Sequence, residues 1–488
     1  MAISATKPNN QRLVLGLLVA AYALNFVDRS IVASVGQAIK LDLKLTDTQL
    51  GLLGGLYFAL LYTVLGIPIA RLAERWSRVN IMSTAIFVWS GFTALCGMAT
   101  NYAMLASFRF GVGIGEAGLS PAAHSLISDT VPPEKRASAL SVYSLGVPLG
   151  VMIAAVAGGW LAQNYSWRVA FIALGLPGAL LALAMRLLIR EPVRGVMEPG
   201  GARIGPPPYS LRSDVAETLR VARAMFGNPV LFHMMLGITL ISFAGYGAGA
   251  FVQPYWSRTF GLGYAKIGLI TGLVGGTSQF VGVLLGGFVS DRLARSGSSI
   301  WYGLVPAIGI AAAYPLILAL YTADSWQAAA IWMLFPGALT NTYMGPTYGT
   351  VQNAFPPAQR ATAVAVLFFV LNLIALGFGP PLTGLLIDHL GAFHHANAEV
   401  NGVLPALSGL PWADVVSFQQ SCPGGVGMGA GTAADTACRT AVQLATRQAI
   451  ILAYGVGLWA AVHYLIAALR LRKGMPLIAA APAQGESI

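Results

Sequence analysis

The chain of 488 residues is 56% hydrophobic and only 10% charged, and its 29 Lys and Arg against 18 Asp and Glu give a net charge of +11. Because an ordinary soluble domain is about a quarter charged, this composition excludes one and indicates that lipid surrounds most of the chain. The basic residues lie in short segments between apolar runs, which excludes a nucleic-acid partner, and three cysteines without a C-x-x-C pair predict neither a metal nor another cofactor.

Apolar runs long enough to cross a bilayer as helices, about 20 residues each, recur along the chain. Numbered spans 1 to 12 in chain order, they cover residues 13–39, 49–71, 80–100, 102–128, 137–162, 167–190, 229–256, 265–290, 300–321, 326–353, 361–388 and 443–470. Span 1 is too long for a cleaved secretion signal, and Asp28 and Arg29 interrupt it, so we expect it to be retained. The predicted fold class is an all-α membrane protein with twelve transmembrane helices.

Lys and Arg concentrate in every second loop, a bias typical of loops that stay in the cytoplasm. It predicts an inner-membrane protein with both termini cytoplasmic, and we call the opposite ends of the spans the outer ends. Residues 390–442 would form an outer loop, in which an oxidising compartment can join Cys422 to Cys438. Residues 474–488 would form a cytoplasmic tail.

A Pro- and Gly-rich stretch, residues 191–228, is predicted to be a cytoplasmic linker. Near its end Val215, Leu219, Ala222 and Phe226 recur at helical spacing, which indicates a short amphipathic helix. Such a helix lies on the membrane surface or in solvent, and the sequence favours neither.

Two loop sequences recur in the second half of the chain. Val131–Ala139 resembles Phe355–Ala363, 224 positions later, and Leu72–Arg78 resembles Val289–Arg295, 217 positions later. Two matches at nearly one offset indicate a duplicated unit, which predicts two six-helix halves, 1–190 and 229–473, about a central site.

The same loops carry the first family resemblance. Ala70–Arg78 resembles the motif G-x-L-A-D-R-x-G-R of the major facilitator superfamily, and Gly287–Arg295 is a second copy. Arg109, Gly113 and Gly115 match its R-x-x-x-G-x-G motif in span 4. This resemblance covers essentially the whole chain and implies a monomeric membrane transporter that moves two helical halves about the site.

A narrower resemblance is to the bacterial branch of the spinster family. It rests on the segments 25–29, 113–117, 141–150, 166–168 and 190–192. The resemblance implies proton-coupled, alternating-access transport of a lysophospholipid or sphingolipid-like substrate. The 25–29 and 113–117 signatures also occur in organic anion symporters, so an organic anion/proton symporter is the nearest alternative and a multidrug/proton antiporter the next. A non-transporting receptor or an intramembrane enzyme is disfavoured, since no Ser/His pair or H-E-x-x-H motif occurs.

Four charged residues lie deep within the predicted spans: Asp28, Arg29, Arg109 and Glu116. Each costs about 2.5–3.5 kcal/mol at the bilayer centre unless it is paired, hydrated or neutralised. By its depth along span 1, Asp28 lies between Arg109 and Glu116 of span 4. The superfamily resemblance places spans 1 and 4 at the central cavity, which implies that Asp28 pairs with Arg109 and Arg29 with Glu116. We expect this cluster to bind the coupled proton, with Asp28 the first candidate for the proton site and Glu116 the second. An arginine of the cluster would then bind an anionic headgroup of the substrate. The alternative is a static polar contact that holds two helices together. The second half has no ionised residue deep within a predicted span.

The superfamily resemblance also implies a cytoplasmic gate. Glu74 would meet the start of span 11 near Ala361, and Asp291 the start of span 5 near Ala137, where a carboxylate near a helix N-terminus is favourable. Ordinary cytoplasmic charge is the alternative. The gate residues predicted from the repeated loops are Glu74, Arg75, Arg78, Asp291, Arg292, Arg295, Arg136 and Arg360.

Other polar and aromatic residues are assigned more simply. His124 in span 4 is expected at a helix end rather than in coupling, and His389, His394 and His395 on a loop surface rather than around a metal. Aromatic residues of the second half are candidates for an apolar compartment: Phe243, Tyr246, Phe251, Tyr255, Trp256, Phe368 and Phe369.

Overall fold

The computed structural model describes residues 10–73, 75–132, 139, 142–194, 197, 211–295, 297–397, 414–427, 429–474 and 478. These residues are mostly helical, with no β-strand among them. Ten helices in this part of the chain are long and apolar enough to cross a membrane, judged by length and composition. The predicted linker, outer loop and tail fall partly outside the described residues.

Spans 1 to 6 follow the sequence prediction, with two of them interrupted. Span 2 bends at Gly55, and span 4 is divided after Glu116, so each consists of two consecutive helices. The helices are Gln11–Leu43, Asp47–Gly54, Leu56–Ala73, Arg78–Cys96, Tyr102–Glu116, Leu119–Thr130, Gly146–Asn164 and Trp167–Leu188.

Several of these helices begin at a polar side chain that accepts hydrogen bonds from the first free backbone amides. Asn10, Thr46, Ser77, Asn101 and Ser166 play this part, and Thr46 forms a complete capping box. Because the first amides of a helix have no partner within it, such caps fix where each span begins.

The second half also contains interrupted spans, and span 10 is divided into three short α-helices. Wider π-helical turns, Ile270–Gly275 and Asn372–Leu376, interrupt spans 8 and 11. The helices, including the linker helix at the start and a loop helix before the last, are Leu211–Gly227, Pro229–Phe260, Tyr264–Leu269, Gly276–Ala294, Trp301–Tyr321, Trp326–Trp332, Pro336–Thr340, Met344–Ala354, Pro357–Leu371, Gly377–Ala396, Val415–Ser421 and Ala433–Leu471.

The contacts divide the chain into two compact units, and the first combines the six early spans with parts of later ones. It comprises Met1–Pro208, Ala250–Leu273 and Pro380–Thr446. Span 8 begins inside this unit against span 5, where Gly159 and Gly268 allow the two backbones to touch, since a methyl group at either position would overlap the facing backbone. The division into halves at 1–190 and 229–473 follows the repeat and stays a prediction.

The second unit comprises Tyr209–Gly249, Val274–Gly379 and Arg447–Ile488. Its apolar core joins Met234 of span 7, Leu367 of span 11 and Tyr464 of span 12, all fully buried. The linker helix packs against that core through Val221 and Met225.

The linker helix itself extends the amphipathic segment predicted from the sequence, and its apolar residues divide between two faces. Val215, Leu219 and Phe226 are exposed, at 47%, 64% and 51%, whereas Met225 is fully buried. The helix is therefore docked on the bundle mainly by Val221 and Met225, which the sequence pattern had not singled out, with Ala222 of the predicted set packed beside them.

Candidate functional site

The four charged residues predicted in spans 1 and 4 lie together in the first unit. Asp28, Arg109 and Glu116 are at most 2% exposed, and the Arg29 side chain is 16% exposed. Buried charges are stable only with partners or as neutral groups, so their contacts determine what this site does.

Arg29 is held on one edge by a carboxylate and on its faces by aromatic rings. Its Nε donates to Glu116 Oε2 at 2.7 Å, which is the pair expected from the sequence. The Arg29 Cζ lies 5.2 Å, 5.0 Å and 4.4 Å from the ring centroids of Phe26, Phe58 and Tyr62. Ring faces attract a guanidinium, so this collar stabilises the cation with little water around it.

Arg109 contacts Asp28 through the backbone rather than through the carboxylate. Its Nη1 donates to the Asp28 carbonyl oxygen at 3.0 Å, and its Nε donates to the Leu53 carbonyl oxygen at 3.2 Å. The expected side-chain pair between Asp28 and Arg109 is therefore not formed in this arrangement, although the two residues are in contact.

Several polar atoms of the cluster are buried without a hydrogen-bond partner among the described residues. They are Asn25 Oδ1, Asp28 Oδ1, Arg109 Nη2 and Glu116 Oε1. An unsatisfied buried polar group costs about 1–3 kcal/mol, more if charged. Such atoms concentrated at one place mark a site that can accept a proton, a substrate group or a new partner.

The glycines of the span 4 motif bring this helix against its neighbours. A methyl group at Gly113 would lie 2.5 Å from the Phe58 carbonyl oxygen, and one at Gly115 would lie 2.7 Å from Trp89. Both glycines lie between Arg109 and the end of the helix at Glu116, so the close packing fixes the height of the two charges relative to span 1.

The predicted gate residues are only partly described. Glu74 and Arg136 lie outside the described residues, as does Ala137, the expected contact of Asp291. Asp291 is exposed and accepts a hydrogen bond from Tyr302 at 3.1 Å. Arg292, Arg295 and Arg360 are also exposed, and the Arg360 Nε donates to the Phe355 carbonyl oxygen at 3.2 Å, while Arg75 is half-buried.

Arg78, by contrast, is fully buried and forms a connection within the first unit. It pairs with Asp129 of span 4 and, at 2.7 Å, with Glu191 after span 6. It also donates to the carbonyl oxygens of Ser125 and Pro192. These contacts hold the starts and ends of three spans together.

Sequence reasoning missed a second buried charge cluster at the outer ends. The side chains of Lys40, Asp47, Arg258 and Asp388 are buried there, at the ends of the spans rather than deep within them. Spans 7 and 11 extend beyond the predicted ends, to Phe260 and Ala396, which places Arg258 and Asp388 within helices. The signal in the sequence was the capping box at Thr46, which marks a helix beginning at Asp47.

The histidines and cysteines of the outer loop are also placed. His389, His394 and His395 belong to the last turns of the span 11 helix rather than to a loop, and His395 lies beside Cys422 and Cys438, which form a disulfide. The exposed His124 ring packs edge-on against Tyr143, with centroids 5.6 Å apart.

Comparisons with known proteins agree with this architecture. The family model of the Major Facilitator Superfamily matches residues 18–320. An MFS-type efflux pump of Mycolicibacterium smegmatis is 30% identical over 383 residues, 78% of this chain and 86% of that protein. The sphingosine-1-phosphate transporter SPNS2 of Danio rerio is 27% identical over 392 residues, 77% of this chain and 76% of that protein.

A solved structure is similar over nearly the full length. A bacterial homolog of the human lysosomal transporter Spinster, in an inward-facing and unoccupied conformation, has a TM-score of 0.80 at 29% identity, covering 96% of this chain and 99% of that chain. This similarity confirms the resemblance to the spinster family. The chain is a membrane transporter rather than an enzyme, and it belongs to the major facilitator superfamily.

Proposed function

We propose that this transporter is proton-coupled, works by alternating access, and carries an amphipathic lipid of the lysophospholipid or sphingolipid-like class. The observation that carries the proposal is the buried cluster of Asp28, Arg29, Arg109 and Glu116, which holds two carboxyls and two guanidinium groups but only one direct pair between them. A static latch would be expected to satisfy its polar atoms, whereas this cluster leaves several unpaired.

Asp28 is the first candidate for the proton site. Its carboxylate lies beside Thr93 and Trp89, and its Oδ1 has no hydrogen-bond partner among the described residues. Because a buried ionised carboxylate needs compensation and Arg109 bonds to the backbone carbonyl instead, a proton is the partner that fits.

Glu116 is the second candidate and links protonation to the substrate. A proton on Glu116 weakens its bond to Arg29, the one member of the cluster with a partly exposed side chain. The Arg29 guanidinium, kept in place by its aromatic collar, then has donors available for a phosphate or carboxylate headgroup.

An amphipathic substrate also needs apolar surface. Tyr246, Phe368 and Phe369 in the second unit are 37–40% exposed and remain candidates for contact with an acyl chain. Phe251, Tyr255 and Trp256 are fully buried in side-chain packing, which leaves them no surface for one. The similarity to a sphingosine-1-phosphate transporter supports the same class of substrate.

The second candidate function is an organic anion/proton symporter. The compact collar around Arg29 favours it, since a small carboxylate needs one guanidinium and little apolar surface. A multidrug/proton antiporter is the third candidate function, because one relative is named an efflux pump.

Reconstituted liposomes separate these functions. Under an imposed pH gradient, we expect a labelled lysophospholipid to move faster than a small dicarboxylate or a lipophilic cation. Asp28→Asn and Glu116→Gln should abolish the dependence on the gradient, whereas Asp42→Asn, which removes a surface pair with Arg168, should retain it. Movement of the dicarboxylate alone would contradict the lipid assignment, and gradient-driven transport by both cluster variants would contradict the coupling role.

We also propose that both termini are cytoplasmic, in the inner membrane. The disulfide between Cys422 and Cys438 supports this orientation, because disulfides persist in oxidising compartments and the outer loop would face one. Reporter domains fused to the C-terminus and inserted at residue 430 should be active in the cytoplasm and outside it, respectively; the reverse pattern would invert the topology.

The gate role is a proposal of the same kind for the exposed charges Asp291, Arg292, Arg295 and Arg360. Their exposure leaves them able to change partners, whereas Arg78 is bonded on several sides and is suited to a permanent brace. Charge reversal in Asp291→Lys should shift the balance between conformations, measured as protection of introduced cysteines from the cytoplasmic side. An unchanged balance would favour ordinary surface charge.

A further inference from the structure

The outer ends of spans 1, 2, 7, 11 and 12 meet in the buried charge cluster that sequence reasoning missed. We infer that Asp47, Arg258 and Asp388, with Lys40, form a lock that closes the outer end of the transporter and must break when that end opens. The inference rests on the proposed alternating access and concerns residues apart from the proton and substrate cluster.

Asp47, the first residue of the helix Asp47–Gly54 that begins span 2, is the centre of this lock. Its carboxylate accepts from Lys40 Nζ at 2.5 Å and from Arg258 Nη2 and Nη1 at 2.6 Å and 3.2 Å. The three side chains are 1–5% exposed, so the bonds form away from water, where charge-assisted hydrogen bonds are strongest.

Arg258 also bonds to residues of the first and the last span. It donates to Gln37 Oε1 of span 1 at 2.8 Å and to Thr446 Oγ1 of span 12 at 2.6 Å. One side chain of span 7 thus bonds three other spans, two of them from the other sequence repeat.

Asp388 of span 11 caps span 2 from a distant part of the chain. Its two carboxylate oxygens accept the backbone amides of Asp47 at 2.9 Å and Thr48 at 2.8 Å, and the Thr48 hydroxyl at 2.6 Å. These amides have no partner within the helix, and the positive end of the helix dipole favours a carboxylate there. The cap exists only while spans 2 and 11 touch.

The backbones are shaped for this contact. A methyl group at Gly51 would overlap the Pro380 carbonyl, and one at Gly384 would overlap the Asp47 carbonyl. The two glycines therefore let spans 2 and 11 approach closely enough for the Asp388 carboxylate to reach the helix start.

The disulfide loop covers the cluster. Gly424 and Gly425, both with positive φ, lie over the end of span 1; a methyl group on Gly425 would be 3.5 Å from Lys40 Nζ. Cys422 and Cys438 tie this loop to the start of the last helix. The cover keeps water from Lys40 and so strengthens the lock.

The charges balance within the cluster, with two carboxylates and two cations, so the closed state has no uncompensated charge. When span 2 separates from spans 7 and 11, the bonds from Arg258 to Asp47 and from the start of span 2 to Asp388 break together. The lock therefore favours the outward-closed state, and weakening it should raise the fraction of outward-open molecules.

Accessibility of a cysteine beneath the lock tests this inference. Ser34 lies on span 1 about 9 Å further into the membrane than Lys40, is 3% exposed and bonds to Gln253 of span 7 at 3.3 Å. The Ser34→Cys variant is labelled on intact cells with a membrane-impermeant maleimide. The parent chain gives the background, since Cys96 is buried and the other two cysteines are bonded to each other.

We expect Arg258→Gln and Asp388→Ala each to raise the labelling rate of Cys at position 34 by about tenfold, the effect of losing one charge-assisted hydrogen bond. Asp388→Asn retains an acceptor oxygen and should raise it less. Asp42→Asn is the matched control: it lies at the same end but pairs with Arg168 of its own half, and should leave the rate unchanged. Size-exclusion profiles exclude misfolded variants.

The lock would be refuted if the labelling rates of Arg258→Gln and Asp388→Ala equalled that of the Asp42→Asn control. This holds whether the three rates stay at the level of Ser34→Cys alone or rise together. Should Arg258→Gln fail to fold, the order of Asp388→Ala over Asp388→Asn over the control decides the matter alone. The readout needs no substrate. Lysophospholipid transport without the labelling pattern would therefore refute the lock alone, and the pattern without such transport would refute the substrate assignment alone.

Discussion

Gly113→Ala should disturb the charge cluster without altering any charge. The new methyl group would lie 2.5 Å from the Phe58 carbonyl oxygen, closer than the 3.0 Å below which real Cβ contacts essentially never occur, so spans 2 and 4 must move apart. The shift acts between Arg109 and Glu116 and stretches the 2.7 Å hydrogen bond that Arg29 donates to Glu116.

The magnitude follows from two opposing effects. Overpacking of a tight core contact costs about 1–3 kcal/mol. Replacing glycine by alanine within a helix returns about 0.5–1 kcal/mol. The net effect for Gly113→Ala is a loss of about 1 kcal/mol. Gly91→Ala in span 3, with nothing within 4 Å of the new methyl group, should only gain stability.

Thermal denaturation in detergent and proton-driven uptake in liposomes measure both consequences. Gly113→Ala should melt below the parent chain and lose uptake, and Gly91→Ala should melt at or above it and keep uptake. If Gly113→Ala matched Gly91→Ala in both assays, the contact with Phe58 would not determine the position of the cluster.

Three further predictions concern the stability of the fold and its disulfide. Arg78→Ala leaves two carboxylates without their buried cation and should cost about 3 kcal/mol in a melting experiment, whereas the exposed Arg292→Ala should change little. Thiol titration of the denatured chain should find one free thiol, Cys96, before reduction and three after it; three before reduction would contradict the disulfide. Met225→Ala should cost about 2 kcal/mol or more and Leu219→Ala little in detergent, and the reverse order would mean that the other face of the linker helix is docked.

Composition and periodicity predicted much of this molecule. The lengths of the apolar runs located the helices, and four charges inside two runs identified residues that the fold brings together, including the pair of Arg29 with Glu116. That pairing was accessible because charges inside a membrane need partners, and the superfamily resemblance placed spans 1 and 4 side by side at the central cavity.

The remaining features depend on contacts that the local sequence does not encode. Span 4 is divided into two helices after Glu116. Its residues still form one continuous apolar run, so the sequence pattern indicated a single helix. Asp388 was assigned to a span end because charge usually marks one, yet it is 3% exposed owing to a partner 341 positions away. Arg109 bonds to a backbone carbonyl of span 1, and a backbone acceptor leaves no trace in the sequence.

Three clusters of buried charges in the described part of the first unit differ in how completely they are satisfied. Arg78 bonds to groups of its own half on several sides, which suits a brace. Asp47, Arg258 and Asp388 bond across the two sequence repeats and have no unpaired side-chain atom among the buried ones described.

Asp28, Arg109 and Glu116 differ from both, because each keeps a buried atom without a partner. A cluster with every bond made has one favoured arrangement, whereas one with bonds to spare has neighbouring arrangements of similar free energy that a proton can exchange. Removing a charge from the brace should therefore destabilise the fold, and removing one from the lock should shift its conformation. Only the third cluster should lose coupling while the fold and the closed outer end persist.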